Sequence, residues 1–159
     1  MPTASKIRSR EDLAAQVAAW RAVGEQVVFT NGCFDLVHLG HIDYLERAAA
    51  LGDRMVIGLN SDSSVTVLKG PSRPILDETS RARLLAALEF VDAVTVFSEE
   101  TPRNLIVELR PDVLVKGNDY SVAQVAGAKE VLGWGGRVEL VDLVEGKSTS
   151  SIIAKIKAS

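Results

Sequence analysis

The sequence predicts an α/β fold, with five parallel strands in one sheet and helices on both faces. Three observations predict it. Short apolar runs near residues 27–30, 54–60, 91–97, 113–117 and 137–141 alternate with stretches whose apolar residues recur every three or four positions, the pattern of strands linked by crossover helices. The run at 54–60 is almost continuously apolar, which suits a strand covered on both faces and hence a parallel sheet. Glycine and polar residues gather just after each run, where parallel sheets open their ligand crevice. Together these give a Rossmann-like arrangement; GxGxxG does not follow the first run, which argues against a dinucleotide site.

Each element has its own signal. Residues 1–8 are expected to be a mobile lead. Ser9 caps a helix over about 10–23, with Asp12 three positions on, Leu13, Val17 and Trp20 as the apolar stripe and Gly24 as the stop. Strand 27–30 leads through Asn31-Gly32 into a helix reaching about residue 51, with Ile42, Leu45, Ala48 and Ala49 on one side. Gly52-Asp53 turns the chain into the second strand, which ends in Asn60-Ser61-Asp62. That triplet either caps a helix or faces the crevice. Residues 67–74, with Gly70, Pro71 and Pro74, read as a surface loop.

Asp77 or Thr79 starts a helix with Leu84, Leu85 and Leu88 buried and Arg83 exposed. Thr101-Pro102 opens another, with Leu105, Ile106 and Leu109 inward. The fourth strand exits through Lys116-Gly117-Asn118-Asp119-Tyr120. A helix over 123–132 ends at Gly133, and the fifth strand precedes Gly146-Lys147-Ser148-Thr149-Ser150-Ser151 and a last helix. Gly-Lys-Ser suggests a P-loop, but that motif needs glycine where Val141 stands.

The 159 residues are read as one domain, 1–159. Apolar content of 47% with 25% charged residues is that of an ordinary globular chain, and a net charge of −3 argues against a nucleic-acid surface. The single cysteine allows no internal disulfide. With no apolar leader in residues 1–10 and no run of roughly 18–20 apolar residues, a cytoplasmic location without membrane insertion is expected.

The stretch with the most chemistry is Gly32-Cys33-Phe34-Asp35-Leu36-Val37-His38-Leu39-Gly40-His41, which holds both histidines of the chain. It places them in the first turn of a helix, where free N–H groups and partial positive charge attract phosphate, and Gly40 lets a ligand approach the backbone. Half of a metal site is the alternative, but a third ligand is wanting. Cys33 reads as a small packed residue.

This stretch resembles the HxGH signature of the cytidylyltransferase-like nucleotidyltransferases, and most closely their heptose-1-phosphate adenylyltransferases. Lys69-Gly70-Pro71-Ser72-Arg73-Pro74 is similar to that group's Lys-Gly-x-x-Arg-Pro run, Arg81 to an Arg-Ala-x-x-Leu arginine, residues 111–120 to Pro-Asp-x-x-x-Lys-Gly-x-Asp-Tyr/Trp, and 148–153 to Ser-Thr-x-x-Ile-Ile. Asn118 stands where many relatives have glycine.

The resemblance implies transfer of AMP from ATP, with Mg²⁺, to D-glycero-D-manno-heptose 1-phosphate for lipopolysaccharide biosynthesis. It implies His38, His41 and Lys69 as catalytic residues. Phe34, Gly40, Lys116, Ser148, Thr149 and Ser150 are the nucleotide contacts, joined by His41. Asp35, Asp62, Arg73, Arg81 and Asp119 are the substrate contacts, joined by Lys69. No metal is held by the chain itself. It also implies a homo-oligomer, a dimer or larger, and an enzyme supplied with the 1-phosphate by separate proteins. A glycerol-3-phosphate cytidylyltransferase is the sister activity; its Arg-Thr-Glu-Gly lead is Leu143-Val144-Glu145-Gly146 here. A non-catalytic nucleotide-binding regulator is the reading of another class.

Overall fold

The computed structural model describes residues 2–159. Five parallel strands form one sheet: β1 (Val27–Gly32), β2 (Arg54–Asn60), β3 (Ala93–Phe97), β4 (Val113–Gly117) and β5 (Arg137–Val141), in the order β3-β2-β1-β4-β5. Around it lie α1 (Arg10–Ala22), α2 (Leu39–Ala49), α3 (Asp62–Lys69), α4 (Glu78–Ala86), α5 (Arg103–Leu109), α6 (Ala128–Gly133) and α7 (Thr149–Ala158). The α/β class and its parallel sheet are as the sequence predicts.

Alternation along each strand divides the core in two. Val28, Met55, Ile57 and Val113 face Leu45 and Ala48 of α2 and Ala82 and Leu85 of α4. Phe29, Val56 and Leu114 face Leu13 and Val17 of α1, Leu105 and Ile106 of α5 and Val131 of α6. Helices therefore cover both faces, and the central strands are apolar on both sides.

The strand order reverses between β1 and β4. β1 is in register with β2 from Val27↔Arg54 to Gly32↔Leu59, but with β4 only at Val28↔Val113 and Phe29↔Leu114. Past Phe29 the two strands part. There the Thr30 hydroxyl donates to the Val115 carbonyl at 3.0 Å, and the Tyr44 hydroxyl, from α2, lies 2.8 Å from Thr30 Oγ1. Since Thr30 has a single hydroxyl proton, Tyr44 is the donor. Two side chains close the seam below a crevice that opens above it, at the topological switch point.

Four expectations are corrected. The expected mobile lead is instead a 3-10 turn, Thr3–Lys6, followed by a parallel bridge from Ile7 to Val94, with Arg8 N–H donating to the Val94 carbonyl at 2.9 Å; it covers the open edge of β3. Met1 lies outside the described residues. Residues 67–69 are not loop but the last turn of α3, which Ser61 caps by accepting from Ser64 N–H. In α4 the buried positions include Arg81, whereas Leu84 is exposed. The helix expected over 123–132 is a 3-10 turn, Val122–Gln124, and then α6. Gly127 separates them at φ 86°, where a Cβ would sit 2.6 Å from an Ile106 methyl. No described helix is long and apolar enough to cross a membrane.

Candidate active site

The crevice above the β1/β4 seam has a volume of about 670 Å³. One wall is the loop from β1 into α2, and the others come from the end of α3, the exit of β4 and the lead into α7.

The β1–α2 loop is strained and heavily tied. Phe34 and Leu36 hold left-handed backbones at φ 46° and 53°, each costing of the order of 1–3 kcal/mol outside glycine. Three anchors hold the loop. Arg81 Nη1 donates to the Cys33 carbonyl at 2.8 Å, and Thr149 Oγ1 of α7 donates to the Asp35 carbonyl at 2.7 Å. The fully buried Asp35 carboxylate accepts from Ile75 N–H, Leu76 N–H and Arg73 Nε. Burial alone would push that carboxyl up, but the two N–H groups and the guanidinium outweigh it and hold its pKa below the ordinary carboxylate range.

The histidines then form a reciprocal cap. Gly40 N–H donates to His38 Nδ1 at 3.0 Å, and His38 N–H donates to His41 Nδ1 at 3.4 Å. The arrangement is a capping box made with imidazoles. The rings stack at 3.9 Å between centroids, and the edge of Phe34 meets His41 at 5.4 Å. Each Nδ1 is an acceptor, so the proton of each neutral ring sits on Nε2. Gly40 is required by space: a Cβ there would fall 2.8 Å from His38 Cε1 and 3.1 Å from Lys147 Cβ.

Burial pulls the His41 pKa down to about 4, with His38 adding to the effect and Asp35 opposing it. His38 is lowered as well, first by burial and then by Lys147. At neutral pH both rings are therefore uncharged hydrogen-bond donors. Positive charge comes from Lys69, Arg73, Lys116 and Lys147, all in the crevice wall. Burial lowers the Lys116 pKa, with Asp119 opposing, and its ammonium lies 5.2 Å over the Tyr120 ring.

Of the residues singled out in the sequence, only Arg81 and Asp62 do not line the crevice. Arg81 is fully buried, and its guanidinium donates to the carbonyls of Leu76, Cys33 and Asn60 and to the Asp62 carboxylate. Four of its five N–H donors are used and the group is sealed from solvent, so it locks the ends of β1 and β2 together and does not reach a substrate. Asp62 is its counter-ion. Asp35 lies at the crevice but its carboxylate is committed to Arg73 and the 75–76 backbone, so it orients that arginine. Ser148 caps α7 through Ser151 N–H, leaving the N–H groups of Thr149 and Ser150 without helical partners.

Sequence reasoning missed Tyr44, Thr101 and Lys147 as lining residues. Tyr44 and Thr101 carried no signal. Lys147 has one, in Gly-Lys-Ser, but that signal falls with the P-loop reading. Among the described residues no group of three or more His, Cys, Asp or Glu side chains is placed to hold a metal ion.

Comparison with known proteins shows what the chain is similar to. The cytidylyltransferase-like family model matches residues 29–154. The chain is 58% identical over 153 residues to the bifunctional protein HldE of Methylobacillus flagellatus, covering 96% of this chain and 31% of that one. It is 60% identical over 149 residues to HldE of Azorhizobium caulinodans, covering 94% and 31%. The chain thus spans under a third of the length of these relatives. Among solved structures, a lipopolysaccharide core biosynthesis protein from Thermoplasma volcanium superimposes with a TM-score of 0.63 at 31% identity, over 78% of this chain and 100% of that one.

Proposed function

The chain belongs to the cytidylyltransferase-like family of nucleotidyltransferases, and from that premise we propose that it transfers AMP from ATP to D-glycero-D-manno-heptose 1-phosphate, giving ADP-heptose and pyrophosphate for lipopolysaccharide core biosynthesis. The carrying observation is the His38–His41 cap, which aims two Nε2–H donors from one helix start into a crevice walled by four cations. The heptose assignment is supported by the Lys69–Pro74 run and by likeness to a protein described as acting in lipopolysaccharide core biosynthesis.

The chemistry asks for little else. A phosphate monoester has a second pKa of about 6, so the sugar phosphate arrives as an oxyanion and needs no general base. Its oxygen forms a bond to the α-phosphorus as the bond to the β-phosphate oxygen breaks, and pyrophosphate leaves with the electron pair. The difficulty is to bring two polyanions together and to stabilise charge on the α-phosphate and leaving group.

In this reading His38 and His41 donate to the reacting phosphates. The Thr149 and Ser150 N–H groups at the start of α7 hold the nucleotide phosphates, with Phe34, Gly40, Lys116 and Ser148 around them. Lys69 and Arg73 hold the sugar phosphate, Arg73 aimed by Asp35. Asp119 accepts from a sugar hydroxyl. Mg²⁺ screens the triphosphate when bound; with the nearby Asp35 committed elsewhere, nucleotide oxygens and water are its fitting ligands. The proposal includes a cytoplasmic setting and a homo-oligomer, which sedimentation equilibrium tests.

The deciding experiment measures pyrophosphate release from ATP and from CTP against heptose 1-phosphate and glycerol 3-phosphate. ATP with the heptose is expected to be fastest, and His41→Ala to lower kcat by about 10²–10³-fold, the usual cost of one well-placed donor. Turnover with no pair, or full turnover by His41→Ala, overturns the proposal.

A further inference from the structure

Lys147 stands at the crevice one residue before the cap of α7, and among the described residues its ammonium forms neither a hydrogen bond nor an ion pair. Of the other crevice cations, Arg73 is tied to Asp35 and Lys116 is buried against Tyr120, while Lys69 is also unpaired among the described residues but stands on another wall, at the end of α3. Lys147 Cβ would lie 3.1 Å from a Cβ on Gly40, so the lysine leaves the backbone directly beside the first turn of α2. We infer that Lys147 is a further catalytic residue of the transfer, its ammonium binding the nucleotide's polyphosphate next to His38.

A free ammonium on a flexible four-carbon stem suits this position. It is a compact charge with three donors and no fixed fork, so it can follow negative charge as it moves from the α-phosphate to the departing pyrophosphate. It also adds a positive charge to the start of α7, where the Thr149 and Ser150 N–H groups point. Three titratable or charged groups face His38 and His41: the rings face one another, Lys147 approaches from the α7 lead, and Asp35 from the β1–α2 loop. Lys147 is the one cation among them, and it disfavours protonation of His38.

The inference rests on the nucleotide-binding reading of the crevice, so the test uses inorganic tripolyphosphate with Mg²⁺, which needs no sugar and no turnover. Calorimetry compares the unmodified chain with Lys147→Met, Lys147→Arg and Lys157→Met, the last an exposed lysine in the final turn of α7. Lys147→Met is expected to weaken binding about tenfold, a common loss for one charge-assisted contact. Lys147→Arg is expected to restore most of it, and Lys157→Met to match the unmodified chain.

The two imidazoles supply a second readout, because they are the only ones in the chain. In Lys147→Met the NMR titration of His38 is expected to move upward. Equal tripolyphosphate binding by Lys147→Met and the unmodified chain, or a His38 titration that does not move, overturns this inference alone. Failure of the unmodified chain to bind tripolyphosphate overturns it together with the nucleotide-binding reading.

Discussion

Replacing Arg81 by alanine separates a substrate-binding arginine from a structural one. The guanidinium is fully buried and makes four hydrogen bonds, three of them to carbonyls of Leu76, Cys33 and Asn60. Breaking a buried ion pair by removing one partner typically costs about 3–5 kcal/mol. The Asp62 side chain is 41% exposed, so water can take over its charge and the ion-pair loss falls below that range. The three carbonyls lose their donor, adding about 1 kcal/mol each. A total near 5 kcal/mol is a large part of a stability of about 5–15 kcal/mol. At about 2–4 °C per kcal/mol for a chain of this size, the melting temperature should fall by roughly 10–20 °C. Thermal unfolding followed by circular dichroism reads this directly. Arg81→Lys, which keeps one charge but not the planar fork, should fall in between. If Arg81→Ala melts within about 3 °C of the unmodified chain, as surface changes do, and only the KM for sugar phosphate rises, the guanidinium touches substrate and the structural role is refuted.

Three further outcomes are expected. Gly40→Ala should leave stability within about 1 kcal/mol, since alanine favours a helix by that much over glycine. Its methyl would collide with the His38 ring 2.8 Å away, so kcat should drop at least about tenfold; activity within twofold of normal would refute the packing argument. Stability should depend on pH through His41. Its pKa is about 4 when folded and near 6.5 when unfolded, so between these values the unfolded chain binds more protons. The stabilisation is complete above about pH 6.5 and is lost as pH falls toward 4, by up to about 3 kcal/mol. Urea titrations at pH 7 and 4.5 should show this difference, and it should shrink in His41→Gln. Asp35→Asn should release Arg73 and raise the KM for sugar phosphate about tenfold or more, the loss of one charge-assisted contact, with a smaller change in kcat; an unchanged KM would show that Arg73 needs no anchor.

The strands and the capped helices were legible because their signals are local. Ser9, Asp77 and the apolar run at 54–60 each act within a few residues of themselves. The errors lie where a distant partner decides. Ile7 is ordered by Val94, on a strand the local sequence of the lead does not announce. Arg81 reads as a solvated or ligand-binding charge until the carbonyls of Cys33 and Asn60, 48 and 21 positions away, are seen to converge on it. Asp35 likewise finds Arg73 only through the folded 70–77 segment. In the site, residue types were legible and their charge states were not, because burial lowers the pKa of both histidines, with Lys147 adding to it at His38 and His38 adding to it at His41.

That neutrality fits the division of work in the crevice. Two imidazolium rings stacked at 3.9 Å would repel in a partly dry site and break the cap that places them. Neutral rings can share the space, keep Nδ1 on the backbone and offer Nε2–H outward. The lysines and Arg73 carry the charge that attracts a polyanion from a distance, while the histidines supply directed donors at close range. An incoming triphosphate accepts from both Nε2–H groups while each Nδ1 stays on the backbone, and those hydrogen bonds strengthen as negative charge builds on the phosphates. Burial thus holds the histidines in reserve: uncharged and stacked in the free protein, strongest as donors only once the anion is in place.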